Sequence, residues 1–172
     1  MDYARSVNPD ILVEAELGYI GSSSKVLDAI PEGAAVGEEQ LTTPEEAVHF
    51  LRMTGVDLFS PAIGSIHGML KASADPDLNI KRLKEIRKVT DTPLVLHGAS
   101  GLRAENVQEA IAAGISIVHI NTELRVAWKN ALKLELQEES EEVAPYKILR
   151  PGVVAMKKLV TEKLKLFNRL GE

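Results

Sequence analysis

Three of the four histidines stand next to small polar segments that follow apolar runs. His67 and His97 are each followed by glycine, His119 lies two residues before Asn121, and only His49 falls within a predicted helix. If the apolar runs are strands of one parallel sheet, their ends share an edge, and imidazoles on neighbouring strands about 4.8 Å apart can bind one ion. A single histidine could equally be a hydrogen-bonded core residue or a lone acid–base group. For His67 and His97 together we favour a metal site.

Two carboxylates lie close to the first of these strand ends. Glu14 and Glu16 share one face of a predicted strand, because side chains alternate with a period of two. Two carboxylates facing a buried interior need a cation, which is either a metal or a basic side chain. For Glu14 a structural ion pair and a metal are equally good interpretations. For Glu16, which lies close to Gly18, we prefer the metal.

Small residues close the last two predicted strands. These segments are Gly98-Ala99-Ser100-Gly101 and Asn121-Thr122. Small residues let backbone N–H groups approach an anion, and hydroxyls at a helix start add donors. A G-x-S-G segment alone is also an ordinary strand-to-helix turn. Together the two segments indicate a phosphate site, because the loops after the last two strands of (β/α)8 barrels often bind phosphate.

Strands and helices must alternate to position these residues. Apolar runs predict strands at 10–17, 56–62, 93–97 and 115–121. Periodicity and capping signals predict helices at 43–54, 79–89, 104–113, 122–137 and 151–167. The first of these begins with a capping box of Thr43 and Glu46. The alternation predicts an α/β fold with a parallel sheet, contained in a single domain over residues 1–172.

Composition excludes several classes of protein. The 172 residues are 45% hydrophobic, carry a net charge of −5 and include no cysteine. Such a chain can form a core and is not of the disordered type. The acidic balance gives no general attraction for nucleic acid or anionic lipid, and no apolar run has the roughly 20 residues that span a bilayer. We expect a cytoplasmic protein that binds neither nucleic acid nor membranes, in which histidine and carboxylates bind any metal.

Four motifs occur in a fixed order along the chain, at residues 14–18 (EAELG), 62–68 (AIGSIHG), 93–101 (PLVLHGASG) and 121–124 (NTEL). Together they resemble the class II, zinc-dependent fructose-bisphosphate aldolases and the related tagatose-bisphosphate aldolases. These enzymes reversibly cleave a ketose 1,6-bisphosphate into dihydroxyacetone phosphate and an aldehyde phosphate. The resemblance implies an aldehyde-lyase of glycolysis or related carbohydrate metabolism, built on a (β/α)8 TIM-barrel fold.

The resemblance also implies roles for individual residues. His67 and His97 correspond to two of the three histidine ligands of the catalytic Zn²⁺. Glu16 corresponds to the carboxylate that holds a second, displaced metal position, and a second divalent or monovalent cation is a further expectation. The residues implied to bind the phosphate or the substrate are Gly68, Gly98, Ala99, Ser100, His119, Asn121 and Thr122, with Lys71 as an additional point charge.

The sequence departs from the family pattern at the residues that move protons. It contains no H-x-D-H motif, which supplies the third zinc histidine and the proton-donating Asp. Ser24 occupies the position of the loop Glu that abstracts a proton, and a serine without a partnered base cannot do this near neutral pH. His119 replaces an Asn near the phosphate and the metal, and it is a candidate acid–base group or additional ligand. Ala99 stands where the family has glycine.

A complete barrel of this type needs about 250 residues and eight strands. The four predicted strands correspond to the last four βα units, followed by a C-terminal helix. We expect the C-terminal part of a longer protein, and the alternative is a free-standing half that pairs with a second copy. The partner is accordingly a missing barrel half or a homo-oligomer. We expect little aldolase activity from the chain alone. Two other functions stay open: a non-catalytic half-barrel that binds phosphate and metal, and a divergent aldolase-like enzyme that uses His119.

Overall fold

The computed structural model describes residues 1–139 and 141–169, which form two compact units, one up to His119 and one from Ile120 onward. The first unit contains the strands β1 (Glu14–Leu17), β2 (Val26–Leu27), β3 (Leu58–Pro61), β4 (Met69–Leu70), β5 (Leu94–Leu96) and β6 (Ile115–Val118). Its helices are α1 (Asp2–Val7), α2 (Pro44–Thr54), α3 (Ile80–Val89) and α4 (Ala104–Ala112), with a short 3-10 helix at Glu38–Gln40. The prediction of one domain over 1–172 stays a prediction.

Four of these strands form an entirely parallel sheet in the order β1-β3-β5-β6. Its centre is apolar on both faces, since Phe59 on β3 and all three residues of β5 are buried. Leu83 and Ile86 of α3 are also fully buried. The predicted α/β fold with a parallel sheet is therefore confirmed.

The first unit includes a helix that begins where its capping signal predicts. The Thr43 hydroxyl accepts the N–H of Glu46, and the Glu46 carboxylate accepts the N–H of Thr43, which satisfies two otherwise unpaired donors. These hydrogen bonds hold the pKa of Glu46 below its usual range, with the backbone N–H of Thr43 contributing most. The helix ends at Gly55, whose φ of 62° is in the left-handed region.

The first strand is shorter than its apolar run. Ile11 and Leu12 are exposed, and pairing starts only at Glu14. Just before the strand, the backbone N–H of Val13 donates to the Asp57 carboxylate. A side chain therefore takes the place of a backbone carbonyl of the neighbouring strand.

Two short strands were not predicted. β2 and β4 are two residues long, which is too short for any periodicity, yet they pair in parallel. They join the loop after β1 to the loop after β3.

The second unit is helical. It contains α5 (Thr122–Glu138), α6 (Pro145–Ile148) and α7 (Arg150–Phe167). A Cβ at Gly152 would lie 2.6 Å from the Trp128 ring, so the absent side chain allows α7 to pack closely against α5. Lys163 and Glu123 add an ion pair of 2.6 Å between the same helices. Within the described part of the chain, no helix is both long and apolar enough to cross a membrane.

The capping box makes a specific contribution to the stability of the first unit. We expect Thr43→Ala to lower the free energy of unfolding by about 1 kcal/mol, because the Glu46 N–H loses its acceptor. Urea unfolding of the full chain, followed by circular dichroism, measures this change. Thr54→Ala is the matched control, since its hydroxyl bonds only the Phe50 carbonyl within the same helix. An equal loss for both variants would contradict the interpretation.

Candidate metal centre

Sheet register brings the carboxylates of β1 to a histidine that follows β5. Glu16 is level with Ser60 on β3, and Phe59 is level with Leu94 on β5. Ser60 is therefore level with Val95, one residue before Leu96, and it lies on the face shared by Val95 and His97. Ser60 is buried and small, so Glu16 and His97 can meet across β3. As predicted, the two glutamates of β1 share one face.

His97 lies between these two carboxylates. Its Nδ1 is 2.5 Å from Glu16 Oε2, and its Nε2 is 2.6 Å from Glu14 Oε1. Both ring nitrogens carry a proton when both donate to carboxylates, so this arrangement favours the imidazolium form. The hydrogen bond with Glu16 raises the pKa of His97, partial burial opposes that effect, and Glu14 reinforces it. In the metal-free protein a proton thus supplies the positive charge that the two carboxylates need.

His67 is fixed by main-chain contacts within the loop after β3. Its backbone N–H donates to Ile20 at 2.7 Å, and its Nδ1 lies 2.8 Å from the carbonyl oxygen of Gly21. A carbonyl oxygen only accepts, so Nδ1 donates and Nε2 of the neutral ring keeps its lone pair. The ring stacks on His97 with 5.8 Å between centroids. The Gly21 carbonyl and the His97 ring therefore hold the His67 ring in one orientation, with Nε2 as the nitrogen that can accept a proton or a cation.

His119 occupies the other side of His97. Its N–H donates to the carbonyl of Leu96 at 3.0 Å, which continues the pairing of β6 with β5. Its ring stacks on His97 at 4.8 Å between centroids, and its Nε2 is 3.8 Å from Glu14 Oε2. About half of the side chain is exposed.

Two groups of three side chains could each hold a metal ion. One consists of Glu16, His67 and His97, and the other of Glu14, His97 and His119. In each group the ligand atoms lie within 4.8 Å of one another. Two imidazoles and a carboxylate form a donor set typical of zinc sites that keep a fourth position open. The first group unites the three residues that the sequence analysis selected as metal ligands; their role as ligands stays a prediction.

Gly98 and Gly68 have a structural reason to be glycine. Gly98 has a φ of 64°, and a Cβ there would overlap the Ile66 carbonyl group. Gly68 has a φ of 109°, and a Cβ would lie 2.7 Å from the Lys25 carbonyl oxygen. Ala99 and Ser100 are both buried. The phosphate role of these residues stays a prediction, and the lack of a side chain at Gly98 already allows the backbone of Ile66, next to His67, to lie against it.

The other predicted site residues lie in loops of the first unit or belong to the second unit. Ser24 lies in the loop between β1 and β2. Lys71 is exposed and 4.0 Å from Asp28. Asn121 and Thr122 lie at the start of α5 in the second unit, where Thr122 is buried. Sequence reasoning missed the Gly21 carbonyl that orients His67, and no residue type signals such a contact.

The His97 contacts make the metal-free protein sensitive to pH. A raised pKa means that the interaction stabilises the fold fully below the ordinary value near 6.5, and that this stability is lost as the pH rises through the raised pKa. We expect Glu16→Gln to move the pKa of His97 down and to flatten that dependence. NMR titration of the His97 ring and melting temperatures at several pH values test this. Glu109→Gln, at an exposed position on α4, is the control, and identical His97 titrations in the two variants would contradict the assignment.

Comparison with known proteins accounts for the whole chain. The family model described as fructose-bisphosphate aldolase class-II matches residues 1–172. A fructose-bisphosphate aldolase from Geobacillus stearothermophilus is 35% identical over 170 residues, which are 99% of this chain and 55% of that protein. The chain thus spans about half the length of this relative.

Solved aldolase structures have a similar fold. The YdjI aldolase of Escherichia coli K12 superimposes with a TM-score of 0.73 at 32% identity, over 99% of this chain and 53% of that one. A putative fructose-1,6-biphosphate aldolase from Coccidioides immitis gives 0.72 at 26% identity, over 98% and 56%. Fructose-bisphosphate aldolase from Campylobacter jejuni gives 0.70 at 20% identity, over 97% and 55%, and supports the fold alone. The chain belongs to the class II fructose-bisphosphate aldolase family.

Proposed function

We propose that this chain is the metal- and phosphate-binding half of a zinc-dependent aldolase of TIM-barrel type. The observation that carries the proposal is the cluster of Glu16, His67 and His97, whose ligand atoms lie within 4.8 Å of one another, while the Gly21 carbonyl occupies only Nδ1 of His67. Family membership and the parallel sheet support the same reading. The substrate class is a ketose 1,6-bisphosphate, cleaved reversibly into dihydroxyacetone phosphate and an aldehyde phosphate.

The donor chemistry fits Zn²⁺. His67, His97 and Glu16 offer nitrogen and oxygen ligands, and none of the 172 residues is a cysteine that would compete. A zinc ion in this position supplies Lewis-acid polarisation of a substrate carbonyl. Glu14 then keeps His97 oriented by accepting the N–H of the ring nitrogen that faces it.

The phosphate of the substrate is assigned to the glycine-rich turn and its neighbours. Gly68, Gly98, Ala99 and Ser100 follow the sheet edge that carries the metal cluster, and small residues let backbone N–H groups approach an anion. The family resemblance adds Asn121, Thr122 and His119 to the residues proposed to bind substrate. The chain's net charge of −5 gives no long-range attraction, so phosphate binding would rely on these local donors.

Binding without cleavage is the second candidate, and Ser24 favours it. A serine at this loop position lacks the carboxylate that proton abstraction requires, and no H-x-D-H motif occurs in the sequence. Under this candidate the chain binds zinc and dihydroxyacetone phosphate but does not cleave a ketose bisphosphate. A divergent reaction with His119 as the base would instead be abolished by His119→Asn.

Removal of His97 tests the metal centre. We expect Zn²⁺ to stabilise the wild-type chain by about 2.7 kcal/mol when the free ion is at a hundred times its dissociation constant. His97→Asn should abolish this stabilisation, because both donor groups include His97. Thermal unfolding with and without Zn²⁺ measures it, and His49→Asn on α2 serves as the matched control. Equal stabilisation of His97→Asn and wild type would refute the assignment.

A ligand series separates the two candidate functions. We expect dihydroxyacetone phosphate to raise the melting temperature of the zinc-loaded chain, and unphosphorylated dihydroxyacetone to leave it unchanged. A coupled assay with fructose 1,6-bisphosphate then measures cleavage, which we expect to be at background for the chain alone. Robust turnover would exclude the binding-only candidate. Identical melting temperatures with and without dihydroxyacetone phosphate would contradict the phosphate site in both candidates.

A further inference from the structure

The two ring nitrogens of His97 face carboxylates that belong to two different groups of possible ligands. Nδ1 faces Glu16, whose group includes His67, and Nε2 faces Glu14, whose group includes His119. The rings of His67 and His119 both stack on His97, with centroid distances of 5.8 Å and 4.8 Å. His97 is therefore shared between two sets of metal-binding atoms.

A neutral imidazole has one lone pair and one N–H. When an ion takes Nδ1, the proton remains on Nε2 and can be donated to Glu14. When an ion takes Nε2, the proton remains on Nδ1 and can be donated to Glu16. Each carboxylate is thus a ligand for one position and the orienting acceptor for the other, a supporting role that metal-bound histidines regularly require.

We propose that Glu14, His97 and His119 form a second position for a zinc-like divalent cation, and that this position alternates with the one at Glu16, His67 and His97. Because His97 offers its lone pair on one side at a time, the chain binds one ion at either position. This inference goes beyond the proposed aldolase function and concerns metal binding alone, so loss of aldolase chemistry would leave it intact.

The geometry of the second group is compatible with an ion. Ligands bound at 2.0–2.2 Å in a tetrahedral site lie about 3.5 Å apart. The atoms of Glu14, His97 and His119 already lie within 4.8 Å of one another, and His119 Nε2 is 3.8 Å from Glu14 Oε2. His119 is half exposed and can adjust without disturbing the core. Solvent can also supply the fourth ligand on this side.

Cadmium binding to variants that disable one position each tests the proposal. The probe is ¹¹³Cd²⁺, which accepts the same nitrogen and oxygen donors, added to the full chain carrying ¹⁵N-labelled histidine. His67→Asn leaves the second position intact, and His119→Asn leaves the first. We expect wild type and both variants to bind one Cd²⁺ per chain. In His67→Asn the metal should couple to Nε2 of His97 and to His119, and in His119→Asn to Nδ1 of His97 and to His67.

The controls make each outcome decisive. His97→Asn should weaken binding at least a hundredfold, and His49→Asn should bind like wild type. Glu16→Gln removes the carboxylate ligand of the first position, while its amide oxygen can still accept the Nδ1–H of His97 for the second, so the test survives if His67→Asn fails to fold. Coupling to Nδ1 in every variant, or a hundredfold loss in both Glu16→Gln and His67→Asn when folded, would overturn the second position. Two ions bound at once to wild type would overturn the alternation.

Discussion

The main chain of Ile66 lies so close to Gly98 that any side chain at residue 98 would overlap its carbonyl group. This contact sets the distance between the loop after β3 and the end of β5, and hence between His67 and His97. Glycine is the residue that fits, both for space and for the positive φ. His67 and His97 lie close enough to share an ion because the backbones of the two segments that carry them approach each other at Ile66 and Gly98.

The charges of the polar side chains around this contact offset one another. Glu14 and Glu16 would be costly neighbours in a partly buried face, and His97 between them offsets that cost by carrying a proton. A metal ion can provide the same positive charge. Either a proton or a metal ion can therefore balance the two carboxylates at this position.

Much of this arrangement follows from the sequence. Period-two alternation placed Glu14 and Glu16 on one face, and the strand ends placed His67 and His97 at one edge, because these patterns depend on residue type. The Gly21 carbonyl that orients His67 could not be predicted, since every residue carries a carbonyl. The same holds for β2 and β4, which are too short for a pattern, and for Asp57, whose carboxylate takes over a backbone pairing position. Tertiary contacts decided these features.

The pairing of β2 with β4 has a consequence for motion. Lys25 and Leu27 accept N–H groups of Met69 and Lys71, while Ile20 accepts that of His67. The loop after β1 and the loop carrying His67 are thus joined by several main-chain hydrogen bonds, and we expect the two loops to open together. An ion that holds His67 must slow amide exchange throughout residues 20–27, although most of those residues never touch it. A ligand that held His67 would in this way also restrain the segment that contains Ser24.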